Sequence, residues 1–359
     1  MKAAILNAFG TDLVIDTVPD PVLGTGEVIV DVVATRVLSY SNEVFSGARN
    51  YRLELPAIPG VGAIGRVRET GPDATHLQPG DWVICDPTVR SRDDLVAPDI
   101  LLQGWSAGND GGLRLQKHFR HGSFAERMMV PTENVTPIGP LDPAEAPAWC
   151  GIGTMLVPYG GFLAAGLEPG ETVLVSGATG NFGSAAVAVA LAMGAACVVA
   201  PGRNQAVLDD LVQRFGPRVR PVVLTGREVD DRDRMQSAAP GRIDCVLDIL
   251  PPSVPSSVVR AAVMTVRPYG RAVLMGGVGM LGGDDLALPY PWLMRNCITV
   301  MGKWMYPPEA PRKLAALIRS GLLRLDGKET TVFSLDQANE AVAHAAANSA
   351  PSQMTVICP

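Results

Sequence analysis

The sequence predicts an α/β protein in which a β-rich first domain precedes a doubly wound parallel sheet. Three observations support this prediction. Residues 173–195 contain no charged side chain and include the evenly spaced Gly177, Gly180 and Gly183, and the middle of the chain alternates apolar strand-like runs with helical ones. The first third instead consists of short β-branched runs separated by Gly, Pro and Asp turns, which is typical of an antiparallel β domain.

The composition narrows the function classes. The 359 residues are 47% hydrophobic and carry a net charge of −6, so the chain can bury a core and has no basic excess to attract nucleic acid or anionic membranes. Its six cysteines include no Cys-X-X-Cys pair, which argues against a disulfide framework or a zinc ribbon. We expect a cytoplasmic protein with no nucleic-acid or membrane partner.

The uncharged stretch 172–202 has the pattern of a strand, a glycine turn, a helix and a second strand. TVLVS (172–176) and ACVVA (196–200) are typical of buried strands, and residues 181–193 are small and apolar, as in a helix packed on a sheet. The glycines and Pro201 punctuate the run, so a membrane span is the weaker interpretation.

A glycine turn between a strand and a helix is suited to a pyrophosphate. Glycines let a ligand approach the backbone, and the helix that follows offers N–H groups and the positive end of its dipole. A packing turn without a ligand is the alternative. The predicted cofactor contacts are Gly177, Ala178, Thr179, Gly180, Asn181, Phe182 and Gly183.

The end of the second strand indicates which dinucleotide is bound. NAD-specific sites place an acidic residue there to hold the ribose 2′-hydroxyl. This chain has Gly202, Arg203 and Asn204 instead. Because a guanidinium suits a 2′-phosphate, the sequence predicts NADP(H) with these three residues as contacts. An ordinary solvated arginine is the alternative for Arg203.

The alternation continues to about residue 304. Residues 242–250, 270–278 and 297–304 are predicted to contain strands, and residues 89–119 form a long loop in this interpretation. Ligands of doubly wound sheets lie at the carboxyl ends of the strands. The turn formed by Gly276, Gly277 and Val278 is therefore predicted to lie beside the nicotinamide.

The chain resembles the medium-chain dehydrogenase/reductase superfamily over nearly its whole length. The resemblance implies a GroES-like catalytic domain, a Rossmann domain and a homodimer paired through the strand at residues 298–301. The implied limits are 1–145 with 305–359 for the first domain and 146–304 for the second. The segments that carry the resemblance are LPAIPGVGAIGRV (55–67), GPDATHLQPGDWVI (71–84), GSFAERMMVP (122–131), WCGIGTMLVPY (149–159), the glycine turn and MGGV (275–278).

Ligands used by the zinc-dependent members of that superfamily are missing at the matching places. Leu38 and Val61 stand where those members carry ligands, and only Cys150 matches one. The loop 89–119 also lacks the cysteines of the structural zinc lobe. Because a catalytic zinc needs three protein ligands, we expect no metal. The chain is similar to the zinc-independent branch of quinone oxidoreductases and enoyl reductases.

The resemblance also suggests catalytic residues. Tyr40 falls where zinc-dependent relatives place a Ser or Thr of the proton relay, with Ser39 beside it. A phenol there can polarise a carbonyl oxygen or protonate an enolate, and a residue that only lines the pocket is the alternative. Thr154 matches a family threonine that contacts the nicotinamide.

The predicted function is that of an NADPH-dependent, zinc-independent reductase. Its partner would be a small apolar carbonyl compound, and hydride would pass to an activated alkene, a quinone or a ketone. Two alternatives stay open: a non-catalytic NADPH-binding sensor or structural protein, and a zinc-dependent alcohol dehydrogenase with atypical ligands. The sequence does not distinguish C=C from C=O reduction.

Overall fold

A computed structural model describes residues 1–325 and 327–359. The strands, in chain order, are β1 (Lys2–Ile5), β2 (Val14–Thr17), β3 (Glu27–Val37), β4 (Ala63–Thr70), β5 (Trp82–Cys85), β6 (Thr88–Arg90), β7 (Ile100–Leu102), β8 (Ser106–Ala107), β9 (Arg127–Pro131), β10 (Val135–Pro137), β11 (Thr172–Ser176), β12 (Cys197–Gly202), β13 (Val219–Val223), β14 (Ile243–Asp248), β15 (Val266–Leu274), β16 (Thr299–Gly302), β17 (Glu329–Ser334) and β18 (Gln353–Cys358). The helices are α1 (Ser41–Phe45), α2 (Asp110–Gln116), α3 (Ala146–Trp149), α4 (Ile152–Ala165), α5 (Asn181–Ala192), α6 (Gln205–Phe215), α7 (Glu228–Ala238), α8 (Ser256–Val263), α9 (Tyr290–Arg295), α10 (Ala310–Arg319) and α11 (Ala338–Ala347).

The chain divides into two compact units. The first comprises Met1–Gly153, Pro311–Ala315 and Lys328–Pro359, and the second comprises Thr154–Ala310 and Ala316–Gly327. The domain limits expected from the sequence, 1–145 with 305–359 and 146–304, stay a prediction. Residue 326, which belongs to the expected range 305–359, lies outside the described residues.

The first unit is built on a mixed β-sheet. Its strands follow the order β10-β5-β4-β3-β18-β17, with β9 also pairing with β3. The long strand β3 makes three of these six pairings, and its apolar residues pack with those of β4, β5 and β9 in one core cluster. Because β3 ends at Val37, the segment with Ser39 and Tyr40 follows directly from the end of this strand.

The second unit is a six-stranded parallel sheet with the order β13-β12-β11-β14-β15-β16. Its central strand β11 is fully buried and β14 is buried except at the half-buried Asp244, and both are rich in valine, leucine and isoleucine, as expected of a sheet covered on both faces. Helix α5 contacts α6, and α7 contacts α8. Strand order reverses between β11 and β14, which is the place where doubly wound sheets bind ligands.

Structure and sequence agree in the second unit. The predicted strands at 172–176, 196–200, 242–250, 270–278 and 297–304 correspond to β11, β12, β14, β15 and β16, and α5 begins at Asn181 as predicted. Together with the mixed sheet of the first unit, this confirms the predicted α/β class.

The prediction of a loop at residues 89–119 is wrong. This segment holds strands β6, β7 and β8, which pair in an antiparallel sheet, and helix α2, which Asn109 caps at its N-terminus. The strands are two or three residues long and separated by Gly and Asp, so they leave no readable alternation. Burial of Val89, Leu101 and Phe119 in a small core holds the segment in place.

No single helix in the described part of the chain is long and apolar enough to span a membrane. One bent pair, Pro143–Trp149 with Ile152–Ala165, meets the criterion jointly, by length and composition only.

Candidate functional site

The turn after β11, residues 177–183, is called the glycine cradle here because its backbone conformation and close packing require glycine. Gly177 has φ +95°, a conformation that L side chains rarely adopt. A Cβ on Gly183 would lie 1.9 Å from the carbonyl oxygen of Gly177, so the helix passes as close to the turn as backbone permits. Gly180 precedes α5 as its N-cap residue and provides no side chain to cap it. The first turn of α5 therefore presents backbone N–H groups at an open edge.

These features fit the pyrophosphate of a dinucleotide. The 12-residue helix α5 contains no acidic side chain, so its positive dipole end is not neutralised from within the helix. Ala178 is buried, while Asn181 and Phe182 are half-buried at the start of the helix. Those residues are the ones that would hold the phosphates.

The end of β12 adjoins this turn. A Cβ on Gly202 would lie 2.3 Å from the Thr179 Cγ2 atom, so these two predicted residues are packed together. Arg203 follows and is exposed. Asn204 caps α6 by accepting hydrogen bonds from the backbone N–H groups of Ala206 (3.0 Å) and Val207 (3.4 Å). Asn204 therefore serves as the N-cap of α6, whereas the exposed Arg203 side chain lies at the end of β12.

Three strand-end turns are joined by backbone hydrogen bonds at the same edge of the sheet. The N–H of Ile249 donates to the carbonyl of Ser176 (3.0 Å), and that of Met275 donates to the carbonyl of Asp248 (2.9 Å). The N–H of Gly277 donates to the carbonyl of Leu250 (2.8 Å). The turns after β11, β14 and β15 therefore form one continuous surface at the reversal of strand order.

Gly276, Gly277 and Val278 lie in the last of these turns. A Cβ on Gly276 would be 2.7 Å from Asp248 Oδ2, and one on Gly277 would be 3.0 Å from the Pro252 ring. Val278 is half-buried against the apolar core of the second unit. The predicted glycine turns at 177–183 and 276–278 thus meet at one sheet edge, as the ligand rule for such sheets requires.

Sequence reasoning missed Asp248. It ends the buried strand β14, is 2% exposed, and pairs in register with Ser176 of β11. The Ser176 hydroxyl and the Leu250 N–H donate to its carboxyl group, but among the described residues Oδ1 has no hydrogen-bond partner. Burial raises the pKa of this carboxyl to about 6, and the two hydrogen bonds oppose the rise. The signal in the sequence was an aspartate directly after the apolar run of residues 245–247.

Tyr40 lies in the first unit at the N-terminus of α1. Its half-buried ring makes an edge contact with Trp105, at 5.8 Å between centroids, and the Arg49 guanidinium lies 4.5 Å from the ring centroid. Burial raises the pKa of the phenol above its ordinary value, and Tyr51 adds to this, whereas Arg49 and Arg36 oppose it. The phenol is therefore a neutral hydrogen-bond donor at physiological pH.

Ser39 and Thr154 are placed differently. Ser39 precedes Tyr40 and is half-buried in the first unit. Thr154 lies near the start of α4, at 1% exposure, in the second unit.

Cys150 has the surroundings of a packed thiol. It is buried, and its Sγ lies 3.6 Å from the carbonyl oxygen of Ala146. Burial raises the pKa of the thiol above its usual range. The buried Arg36 guanidinium lies near enough to influence it. Among residues 1–325 and 327–359, no three His, Cys, Asp or Glu side chains are grouped to hold a metal ion.

Comparison with protein families identifies both halves of the chain. Residues 24–140 match the alcohol dehydrogenase GroES-like domain, and residues 182–320 match the zinc-binding dehydrogenase family. The chain belongs to the medium-chain dehydrogenase/reductase superfamily of oxidoreductases. The second family's name describes its members and does not by itself give this chain a metal.

Three curated proteins are among its relatives. An alcohol dehydrogenase of Moraxella is 32% identical over 54% of this chain, and the alignment spans little more than half, 56%, of that enzyme. An alcohol dehydrogenase of Rhizobium meliloti is 29% identical over 84% of this chain and 83% of the relative. An acryloyl-coenzyme A reductase of Metallosphaera sedula is 29% identical over 81% of each chain.

Solved structures share the fold. The alcohol dehydrogenase TADH from Thermus has a TM-score of 0.81 at 20% identity, covering 100% of this chain and 99% of that one. A zinc-binding dehydrogenase from Sinorhizobium meliloti bound to NADP has a TM-score of 0.77 at 19% identity, with the same coverage. At these identities the likeness concerns the fold alone.

Proposed function

We propose that this protein is an NADPH-dependent, zinc-independent reductase that transfers hydride to an apolar activated alkene, a quinone or a ketone. The observation that carries the proposal is the glycine cradle of Gly177, Gly180 and Gly183 beside a strand end that offers Arg203 and no carboxylate. The acryloyl-coenzyme A reductase among the relatives supports the alkene as acceptor.

The preference for NADPH rests on charge. Arg203 is exposed immediately after β12, and the nearest acidic residues, Asp209 and Asp210, lie within α6. Asp209 accepts a hydrogen bond from Gln205 at 2.7 Å. A guanidinium attracts a 2′-phosphate, and the missing carboxylate removes the usual partner of a 2′-hydroxyl.

Independence from zinc rests on the donor set. The side chains of Leu38 and Val61 have no metal-binding atoms, which leaves Cys150 as a single candidate ligand where a catalytic zinc needs three. A catalytic zinc does not fit these residues, so no step of the proposed mechanism uses one. A zinc-dependent alcohol dehydrogenase with atypical ligands is the competing proposal, and metal analysis separates the two.

The cofactor supplies a hydride from C4 of its nicotinamide ring. The chain binds the phosphates at α5, and Tyr40 is proposed to donate its proton to the acceptor oxygen. With an enone, hydride would add to the β-carbon, the C=C electron pair would form the C=C bond of an enol, and the C=O electron pair would take the Tyr40 proton at oxygen. The enol then tautomerises to the saturated carbonyl product. With a ketone, hydride adds to the carbonyl carbon and the proton completes the alcohol. Solvent restores the proton on Tyr40.

We further propose that the protein works as a cytoplasmic homodimer on a small apolar carbonyl compound, with no nucleic-acid or membrane partner. Strand β16 is the edge of the second unit's sheet. Tyr290 and Met294 on α9 are exposed beside it, at 75% and 57%. An open edge next to apolar side chains is what pairing of two sheets requires.

The proposal is tested by single-turnover loss of NADPH absorbance. Metal-free protein is mixed with a panel of enones, quinones and ketones, beside the variants Tyr40→Phe and Tyr269→Phe, the second being an exposed control. We expect turnover by the native protein, an about hundredfold loss in Tyr40→Phe, and no loss in the control. Unchanged turnover in Tyr40→Phe removes Tyr40 from the mechanism but leaves the reductase. Tight NADPH binding without reduction of any acceptor favours the sensor.

A further inference from the structure

Asp248 places its carboxyl group against the joined strand-end turns described above. It is held on β14 opposite Ser176 of β11, so it faces the point where strand order reverses. Its Oδ2 lies close beneath Gly276, where any larger residue would collide with it. Its Oδ1 is buried and has no hydrogen-bond partner among the described residues.

The elements packed around Asp248 provide no cation to neutralise it. Strand β11 and helix α5 contain no ionisable side chain. Strand β15 carries Arg271 and Arg267, which pair with Glu171 and Asp244.

Helices α8 and α4 also provide no cation that could neutralise Asp248. Helix α8 carries Arg260, which forms two 2.7 Å hydrogen bonds with Glu228. Helix α4 contributes only the neutral phenol of Tyr159, and burial raises the pKa of that group. The Ser176 hydroxyl and the Leu250 N–H are the groups that stabilise the ionised carboxyl of Asp248 among the described residues. Its pKa of about 6 places its titration close to physiological pH.

A dinucleotide at the α5 cradle adds the negative charges of its pyrophosphate to the same sheet edge. Like charges at a poorly solvated site disfavour ionisation of a carboxyl group. A protonated carboxyl, in contrast, donates one hydrogen bond and keeps acceptor capacity. Protonation of Asp248 therefore removes a buried charge that would repel an anionic ligand, and it turns a carboxyl group with an orphaned oxygen into a hydrogen-bond donor.

We propose that Asp248 is a cofactor-positioning residue that takes up a proton when NADPH binds. The inference rests on the proposed cofactor and adds a proton-coupled step to its binding. It predicts that NADPH binds more weakly as pH rises above 6, by up to about tenfold per pH unit while the free protein is ionised and the complex is protonated.

The test is calorimetric titration with NADPH between pH 6.5 and 8.5, in two buffers of different ionisation enthalpy. NADH is titrated in parallel because it lacks the 2′-phosphate, whose own pKa is about 6. We expect native protein to take up close to one proton per NADPH at pH 7.5, and its Kd to rise at least about tenfold across the range. Asp248→Asn, which mimics the protonated carboxyl, should bind with no such uptake and an almost flat Kd.

Control variants make the result specific. Asp284→Asn removes an exposed carboxylate and should behave as native protein. Ser176→Ala removes a donor to Asp248 and should move the onset of weakening to higher pH, and it provides the test should Asp248→Asn not fold. Binding without proton uptake, or uptake that persists in Asp248→Asn, overturns this inference and leaves the proposed function standing. Native protein that binds neither dinucleotide overturns both.

Discussion

Gly183 lies so close to Gly177 that a methyl group on it would be 1.9 Å from the Gly177 carbonyl oxygen. That approach lets α5 begin directly over the turn after β11 and point its N-terminus along the sheet edge. The cofactor site depends on this pair more than on any side chain, because the proposed phosphate ligands are backbone N–H groups.

Gly183→Ala is expected to abolish tight NADPH binding. The added Cβ collides with backbone, which cannot yield as a flexible side chain does, so the helix must shift away from the turn. We expect at least a hundredfold rise in the Kd measured by NADPH fluorescence titration, about 2.7 kcal/mol or more. Gly241→Ala is the matched control, because nothing lies within 4 Å of its added Cβ. Equal NADPH binding by both variants would contradict the proposal that the glycine cradle binds the cofactor phosphates.

Arg203→Ala is expected to weaken NADPH binding by about ten- to hundredfold, and to leave NADH binding nearly unchanged. The lost interaction is a charge-assisted hydrogen bond to the 2′-phosphate, worth about 1.5–3 kcal/mol. Both Kd values are measured by fluorescence titration, with Arg242→Ala as an exposed control remote from the strand end. An equal rise in the Kd values for NADPH and NADH would show that Arg203 does not bind the 2′-phosphate.

The pH profile of reduction tests the state of Tyr40. Burial raises the pKa of its phenol above the ordinary value of 10, so the proton is retained throughout the neutral and mildly alkaline range. We therefore expect no loss of single-turnover rate from deprotonation of Tyr40 below about pH 10. An alkaline limb near pH 9 that disappears in Tyr40→Phe would contradict this assignment.

Asp248 also predicts a stability effect in the protein without ligand. Its folded pKa of about 6 exceeds the ordinary value of 3.8, so the folded state binds the proton more tightly than the unfolded state. Stability from this group is therefore present below about pH 4 and is lost as pH rises through 6. A pKa about 2 above normal corresponds to a cost of about 3 kcal/mol for the ionised form.

Asp248→Asn should accordingly stabilise the unliganded protein at pH 8 by up to about 3 kcal/mol and have a smaller effect at pH 5. Urea unfolding at both pH values measures this difference. A variant that is less stable than native protein at pH 8 would indicate that the hydrogen bonds of Asp248 outweigh the cost of burying its charge.

Much of the second unit could be predicted from sequence because its signals are local. Apolar runs of strand length, three spaced glycines and Arg203 lie within about thirty consecutive residues. Asp248 was missed because its burial depends on turns far apart in the chain, those of Gly177 and Gly276. The hydrophobic periodicity of a sequence predicts strands, but it does not predict which strand ends lie next to each other in the sheet.

The first unit shows where local signals are insufficient. Strands β6, β7 and β8 are too short to show alternation, so the segment 89–119 was misread as a loop. The burial of Arg36 beside Cys150 was not predicted either, since an arginine in a strand usually faces solvent. Tyr40 was singled out from the resemblance alone, and its contacts with Trp105 and Arg49 emerge only in the folded chain.

The most direct test of the central claim is transfer of deuterium from NADPH labelled at C4 to an acceptor, catalysed by protein freed of metal and assayed for residual zinc. The acceptor is the best substrate of the single-turnover panel, and the product is analysed by mass spectrometry. The account predicts one deuterium per product molecule at a rate that does not change when zinc is added. Activity that is absent from metal-free protein and returns in proportion to bound zinc would contradict it.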